Sequence, residues 1–163
     1  MNIILDLNRL VIGNTHFLDT KRNIIIEGDF TKIIYSSELF TMNGIYLLFP
    51  IEISTIDKIT NKTIMKFHPY SRHNLSSIQD FSKLEYQIIE YYKQMHNCTK
   101  KTSNMLSKQM YTGSMKLYKG FLQDQYMYNY DDVKSIQCVI KISGIWETRD
   151  EVGLTFKLFY ANE

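Results

Sequence analysis

The residues best equipped for chemistry sit in "FHPYSRHN", where His68, Arg72 and His73 lie close together. An imidazole titrates near neutrality and a guanidinium grips an oxyanion through paired N–H bonds, so such a cluster could act on phosphate. Nothing nearby completes a catalytic set. His16, His68, His73 and His96 show neither HxH nor HExxH spacing, and Cys98 and Cys138 belong to no CxxC. The chain carries no GxGxxG, no GxxxxGK[ST] and no GxSxG. The cluster therefore reads as a polar loop leading into a helix. The expectation is a chain that is not an enzyme and needs no cofactor or metal.

Charge distribution says more than the histidines do. From Tyr91 to Gln123 there is no aspartate or glutamate, while Lys93, Lys100, Lys101, Lys108, Lys116 and Lys119 all fall inside. Tyr91, Tyr92, Tyr111 and Tyr118 are interleaved with them. The formal net charge is only +2, so a positive region here is offset by acidic ends. Lysines follow a phosphate backbone without reading sequence, and aromatic faces offer any base a stacking partner. The competing reading is a solvated helix face whose tyrosines turn inward.

Positioning those side chains falls to a chain of 163 residues, enough for one domain with a core that needs no cross-links. An apolar content of 44% with 22% charged residues excludes an intrinsically disordered chain. Ala161 is the only alanine, and abundant isoleucine and tyrosine favour strands. Two widely spaced cysteines indicate free thiols in an intracellular protein. "MNIILDLNRLVIG" is broken by Asp6 and Arg9 and lacks a basic n-region and a small-residue cleavage site. No window approaches the roughly 18 apolar residues of a membrane span, so no membrane partner is expected.

Three zones follow one another. Residues 1–68 read as strands: "NIILDLNRLVI", "NIIIEGDF", "TKIIYSS", "NGIYLLFPIEIS" and "TIMKFH", with a hairpin turn at Asn61-Lys62. Residues 76–112 read as helical. In "SSIQDFSKLEYQIIEYYKQM", Ile78, Phe81, Leu84, Ile88, then Tyr91 or Tyr92 and Met95, recur at helical spacing. Ser77 with Asp80, or Ser76 with Gln79, offers an N-cap. A weaker helix over 102–111 ends at Gly113. Residues 115–160 return to strands, with "FLQDQYMYNYDD" as a loop. This order predicts an α+β, β-dominated fold. It fits a curved antiparallel sheet or an OB-like barrel, with a helical insertion after the early strands and a C-terminal hairpin.

Strand alternation sorts that hairpin into two faces. Ile140, Ile142, Gly144 and Trp146 share one side, and Leu154, Phe156, Leu158 and Tyr160 one side of the returning strand. This apolar wall predicts a core position for Trp146, the only tryptophan, unless a bulge at Gly144 turns it outward. The other face carries Lys141, Ser143, Ile145 and Glu147, then Thr155, Lys157 and Phe159. The joining loop is expected over 148–153.

Gly144, Ile145 and Trp146, a polar turn, then Gly153, Leu154, Thr155, Phe156 and Lys157 carry a resemblance. The stretch resembles the end of small proteins from large double-stranded DNA viruses. It is similar to the closing hairpin of viral and T7-like phage single-stranded-DNA-binding proteins with OB folds. It covers about twenty residues, and the remainder matches only in element order. "FYANE" departs from the acidic tail of the phage-type proteins. The resemblance implies sequence-tolerant binding of single-stranded DNA in viral replication or repair, inside a host cell, in cytoplasm or nucleus. Candidate contacts are Lys93, Lys100, Lys101, Lys108, Tyr111, Lys116 and Tyr118, with Lys141, Lys157 and Phe159 from the hairpin. The alternative is a non-enzymatic interaction or virion structural module, whose tyrosine-rich surface meets a second copy or another viral protein. Interface cores are poor in lysine, which favours the nucleic-acid reading.

Overall fold

The computed structural model describes residues 3–25, 27–118 and 136–161; "FLQDQYMYNYDD" and Lys119 lie outside them. In chain order the elements are β1 (Thr15–Asn23), β2 (Gly28–Ser36), β3 (Thr41–Met42), β4 (Ile45–Phe49), β5 (Thr55–Ile59) and β6 (Lys62–Lys66). Then come α1 (Arg72–His96), β7 (Lys101–Ser103), α2 (Met105–Thr112), β8 (Ser114–Tyr118), β9 (Gln137–Glu147) and β10 (Glu151–Ala161). Among the described residues ten strands join one mixed sheet: seven follow the path β1-β2-β9-β10-β8-β6-β5, and β3, β4 and β7 pair off it with β2, β9 and β10. The sheet is not closed into a barrel, and six strands rather than three precede α1. The fold is α+β with strands dominating.

The β9–β10 hairpin is the spine of the sheet. Along one flank β9 pairs with β4 through Cys138–Ile142, then with β2 through Gly144–Glu147. Along the other flank β10 runs parallel to β7 and then to β8. The change of partner on β9 coincides with a bulge. Register steps from Thr155 opposite Gly144 to Phe156 opposite Ile142, which leaves Ser143 as the extra residue. One extra residue reverses the parity of every side chain after it. Ile140 and Ile142 are buried before the bulge, and Ile145 is buried after it. Gly144 and Trp146 therefore turn to the opposite face. This overturns the even alternation that placed Trp146 with Ile140 and Ile142, and Ile145 with Lys141. The joining loop is also shorter than expected, because β10 already begins at Glu151.

Helix α1 covers the core face of the sheet. Ile78, Phe81, Leu84, Ile88, Ile89 and Tyr92 are buried along it, as the helical spacing predicts, whereas Met95 is exposed. The helix starts earlier than either N-cap expected from the sequence. Ser71 Oγ accepts the Asn74 N–H at 3.3 Å. Buried Asn74 then ties the first turn to the preceding chain: its Oδ1 accepts from Glu52 N–H at 2.8 Å, and its Nδ2 donates to the carbonyls of Glu52 and His68. His73 Nε2 lies 2.8 Å from the Pro50 carbonyl. The His68–His73 loop thus anchors a helix start. At the other end Asn97 takes a left-handed conformation (φ 50°), and Cys98 N–H donates to Lys93 O at 2.9 Å.

Short strand β7 takes the first residues of the weaker helix expected over 102–111, and α2 starts after it without a local side-chain cap. The cap comes from α1 instead. Buried Glu85 accepts the N–H groups of Leu106 and Ser107 at 2.8 and 3.0 Å and the Ser107 hydroxyl at 2.6 Å. A carboxylate there satisfies orphan donors and faces the positive end of the helix dipole. "NIILDLNRLVI" departs from its strand reading too. A 3-10 turn at Leu7–Arg9 breaks it and a second, Ile12–Asn14, begins at its end, while among the described residues only Leu5 forms a bridge, to Leu47. Ile3, Leu5 and Leu7 pack on the core in alternation, and Leu10 does so again just after the first turn. "NIIIEGDF" is split by the β1–β2 turn, which leaves Ile24 and Ile25 in solvent, 99% and 93% exposed.

Candidate nucleic-acid interface

The face of the sheet turned away from α1 gathers half of the contacts expected from sequence. Lys157 on β10 pairs with Lys141 on β9, and Lys141 pairs in turn with Tyr46 on β4. On the other flank the parallel register sets Phe159 beside Tyr118. The ammonium groups of Lys116 and Lys157 stand 4.5 and 4.8 Å from the centre of the Tyr118 ring. The Phe159 ring lies 6.0 Å from Tyr118, and Lys141 Nζ lies 5.4 Å from the Tyr46 ring. Each cation is attracted to the ring quadrupole, but two of them near one ring repel each other. Among the described residues no carboxylate forms an ion pair with Lys116, Lys141 or Lys157. Lys116 and Lys157 are exposed, whereas Tyr46 and Val139 on this face are buried. The open ground therefore lies towards β8.

The other five expected contacts are elsewhere. Lys93 Nζ donates to Thr102 Oγ1 at 3.1 Å and lies 3.7 Å from Glu90. Lys100 Nζ lies 3.7 Å from Glu147. Lys101 is exposed on edge strand β7, and Lys108 and Tyr111 are exposed on α2, with the Tyr111 ring 6.2 Å from Tyr70. The interval without acids is thus not one positive surface. Glu90 and Glu147, outside the interval in sequence, reach its lysines in space.

Two aromatic side chains on the open face were not among the expected contacts: Phe30, and Trp146, whose outward turn was only the alternative to a core position. Phe30 on β2 pairs with Trp146 on β9. A Cβ added to Gly153 would come within 2.6 Å of the indole, and one added to Gly144 within 2.6 Å of the Phe30 ring. Each ring therefore lies flush on a glycine. Trp146 Nε1–H donates to Leu154 O at 3.1 Å, which fixes the indole in place. Gly144 inside a strand was the one signal in the sequence. Phe30 gave none, because its neighbours depend on which strand pairs with β9.

The α1 side of the sheet carries a polar cleft of about 360 Å³ bordered by Thr20, Tyr92, His96, Cys98, Lys100 and Glu147. The Thr20 and Thr31 hydroxyls are 2.7 Å apart, Thr31 lies 3.3 Å from Tyr92 Oη, and Tyr92 O–H donates to Glu147 at 3.1 Å. Burial first, then the Glu147 carboxylate, push the Tyr92 hydroxyl above its usual pKa against the hydrogen bond from Thr31. Burial likewise pushes up the Cys98 thiol, which donates to Glu147 at 3.3 Å. A protonated thiol held this way is a poor nucleophile. Among the described residues no three histidine, cysteine or carboxylate side chains converge as a metal site requires. No described helix is long and apolar enough to cross a membrane. No protein-family model, curated protein or solved structure matches the chain.

Proposed function

We propose that the protein binds single-stranded nucleic acid, with little sequence preference, on the sheet face opposite α1. One observation carries the reading: the Tyr118 ring stands beside Phe159, with two lysine ammoniums near it that no described carboxylate neutralises. A phosphate drawn to Lys116 and Lys157 relieves their mutual repulsion, and a base is thereby brought over the aromatic pair. Lysine contacts to phosphate and stacking on a ring are both indifferent to base identity. On the resemblance of the closing hairpin, such binding serves replication or repair of viral DNA.

The test is a salt titration of labelled dT12 binding, read by anisotropy. Lys116, Lys141 and Lys157 together contribute about −2 to the log–log slope, at roughly −0.7 for each phosphate neutralised. Replacing exposed Lys116 and Lys157 by glutamine should make the slope shallower by about 1.4 and leave the melting temperature unchanged. Absence of binding at micromolar protein in low salt refutes the reading, as does an unaltered slope in the double variant. A second reading, a protein-contact module, is favoured by the bare Ile24 and Ile25 at the β1–β2 turn. It would take precedence if the oligonucleotide does not bind.

A further inference from the structure

We infer that the nucleic-acid path runs along β10 from the Tyr118–Phe159 pair to Phe30 and Trp146, so that both aromatic groups stack bases of one strand. This rests on the nucleic-acid reading of the same face. Phe159, Lys157, Thr155 and Gly153 alternate onto that face of β10, and Gly153 lies under the Trp146 indole. Six residue steps along the strand lead from Gly153 to Phe159, a span of about 20 Å. Single-stranded bases at a stacked spacing of about 3.4 Å fill it with roughly six nucleotides, inside the usual footprint of a stacking platform.

The intervening ground is positive. Lys141 and Lys157 lie between the two aromatic groups, and no carboxylate interrupts β10 from Gly153 to Phe159. At the far end, exposed Lys32 pairs with Gly144 and exposed Lys21 pairs with Phe30. The rings are suited to stacking for a structural reason. A glycine in a strand interior weakens the sheet, yet here two of them face outward under aromatic side chains. Without a Cβ beneath it, each ring packs close against its glycine, and both Phe30 and Trp146 stay half-buried rather than covered. The bond from Trp146 Nε1–H to Leu154 O holds the indole in that pose, so less rotamer freedom is lost on binding.

Two readouts on the intact chain test the path with dT12. Trp146 is the only tryptophan, so its emission reports the far end alone. It should be quenched on binding. Phe30→Leu, which keeps an apolar cover over Gly144, should lower affinity about fivefold to a hundredfold with the salt slope unchanged, since it removes stacking and no phosphate contact. If dT12 binds by anisotropy while the emission stays constant and Phe30→Leu binds as tightly as the parent, the path is refuted and the Tyr118 site stands. If dT12 does not bind at all, both inferences fall. The quenching arm uses the unmodified protein, so it remains decisive even if Phe30→Leu is unstable.

Discussion

Gly153→Ala isolates the least expected feature of the fold, the turning of Trp146 to the outer face. The new methyl would sit 2.6 and 2.7 Å from two indole carbons and 3.0 Å from the Ser103 carbonyl oxygen. Carbon atoms rest about 3.5–4.0 Å apart, so the indole must lift by about 1 Å. Lifting it stretches the 3.1 Å bond to Leu154 O beyond useful range, at a cost of about 0.5–1.5 kcal/mol. Overpacking adds about 1–3 kcal/mol, offset by the roughly 0.5–1 kcal/mol that alanine gains over glycine in chain entropy. The net loss should be about 1–3 kcal/mol, or a fall of about 2–12 °C in melting temperature for a chain of this size. Urea unfolding followed by far-ultraviolet circular dichroism measures the loss, and the indole emission should shift to longer wavelength. Gly13→Ala is the control, because a Cβ there meets nothing within 4 Å. A Gly153→Ala protein with parental stability and emission would show that Trp146 does not rest on Gly153. The parity reversal at Ser143 would then be wrong.

Other outcomes follow from the same geometry. Glu85→Ala leaves the buried N–H groups of Leu106 and Ser107 without an acceptor, and should cost about 3–5 kcal/mol in a denaturant melt; a loss below about 1 kcal/mol would mean that water replaces the cap. Burial alone pushes the Cys138 thiol up to about 12 from its usual 9.0. Below pH 9 the thiol is neutral whether folded or unfolded and contributes no pH dependence. Between pH 9 and 12 only the unfolded chain ionises, so stability should fall across that window. A thiol reagent at pH 8 should label half-exposed Cys98 slowly, because its thiol is held protonated, and buried Cys138 only after unfolding; rapid labelling of both in the native protein would refute this.

Much of the fold was legible because it follows from local periodicity. Ile78, Phe81, Leu84 and Ile88 recur at helical spacing, and that alone marks the buried face of α1. The apolar alternation of Leu154, Phe156 and Leu158 likewise marks the core face of β10, which keeps its parity throughout. The β5–β6 hairpin was legible from its turn residues, although the turn is Thr60-Asn61, with Thr60 at φ 53° and Lys62 already paired to Ile59, one residue before the expected Asn61-Lys62. Zones without a strict period were misread. "NIILDLNRLVI" alternates onto the core at Ile3, Leu5 and Leu7 as a strand would, but the 3-10 turn at Leu7–Arg9 stretches the next step to Leu10.

The candidate site depended on long-range pairing, which no local pattern contains. Sequence proximity grouped Lys93 and Lys100 with Lys116, yet Glu90 and Glu147 claim the first two. Lys116 and Tyr118 instead join Lys157 and Phe159, about forty residues away, because β8 runs parallel to β10. Composition and periodicity by themselves determined a β-dominated chain with one long amphipathic helix, a closing hairpin and an uneven spread of lysine. Only the tertiary structure decided which face the side chains of β9 take beyond Ile142. That choice turns on Ser143, where β9 exchanges β4 for β2 and its register against β10 steps by one residue. A step of one residue changes nothing in the local pattern but reverses everything after it, and so carries Trp146 from the expected core to the open face.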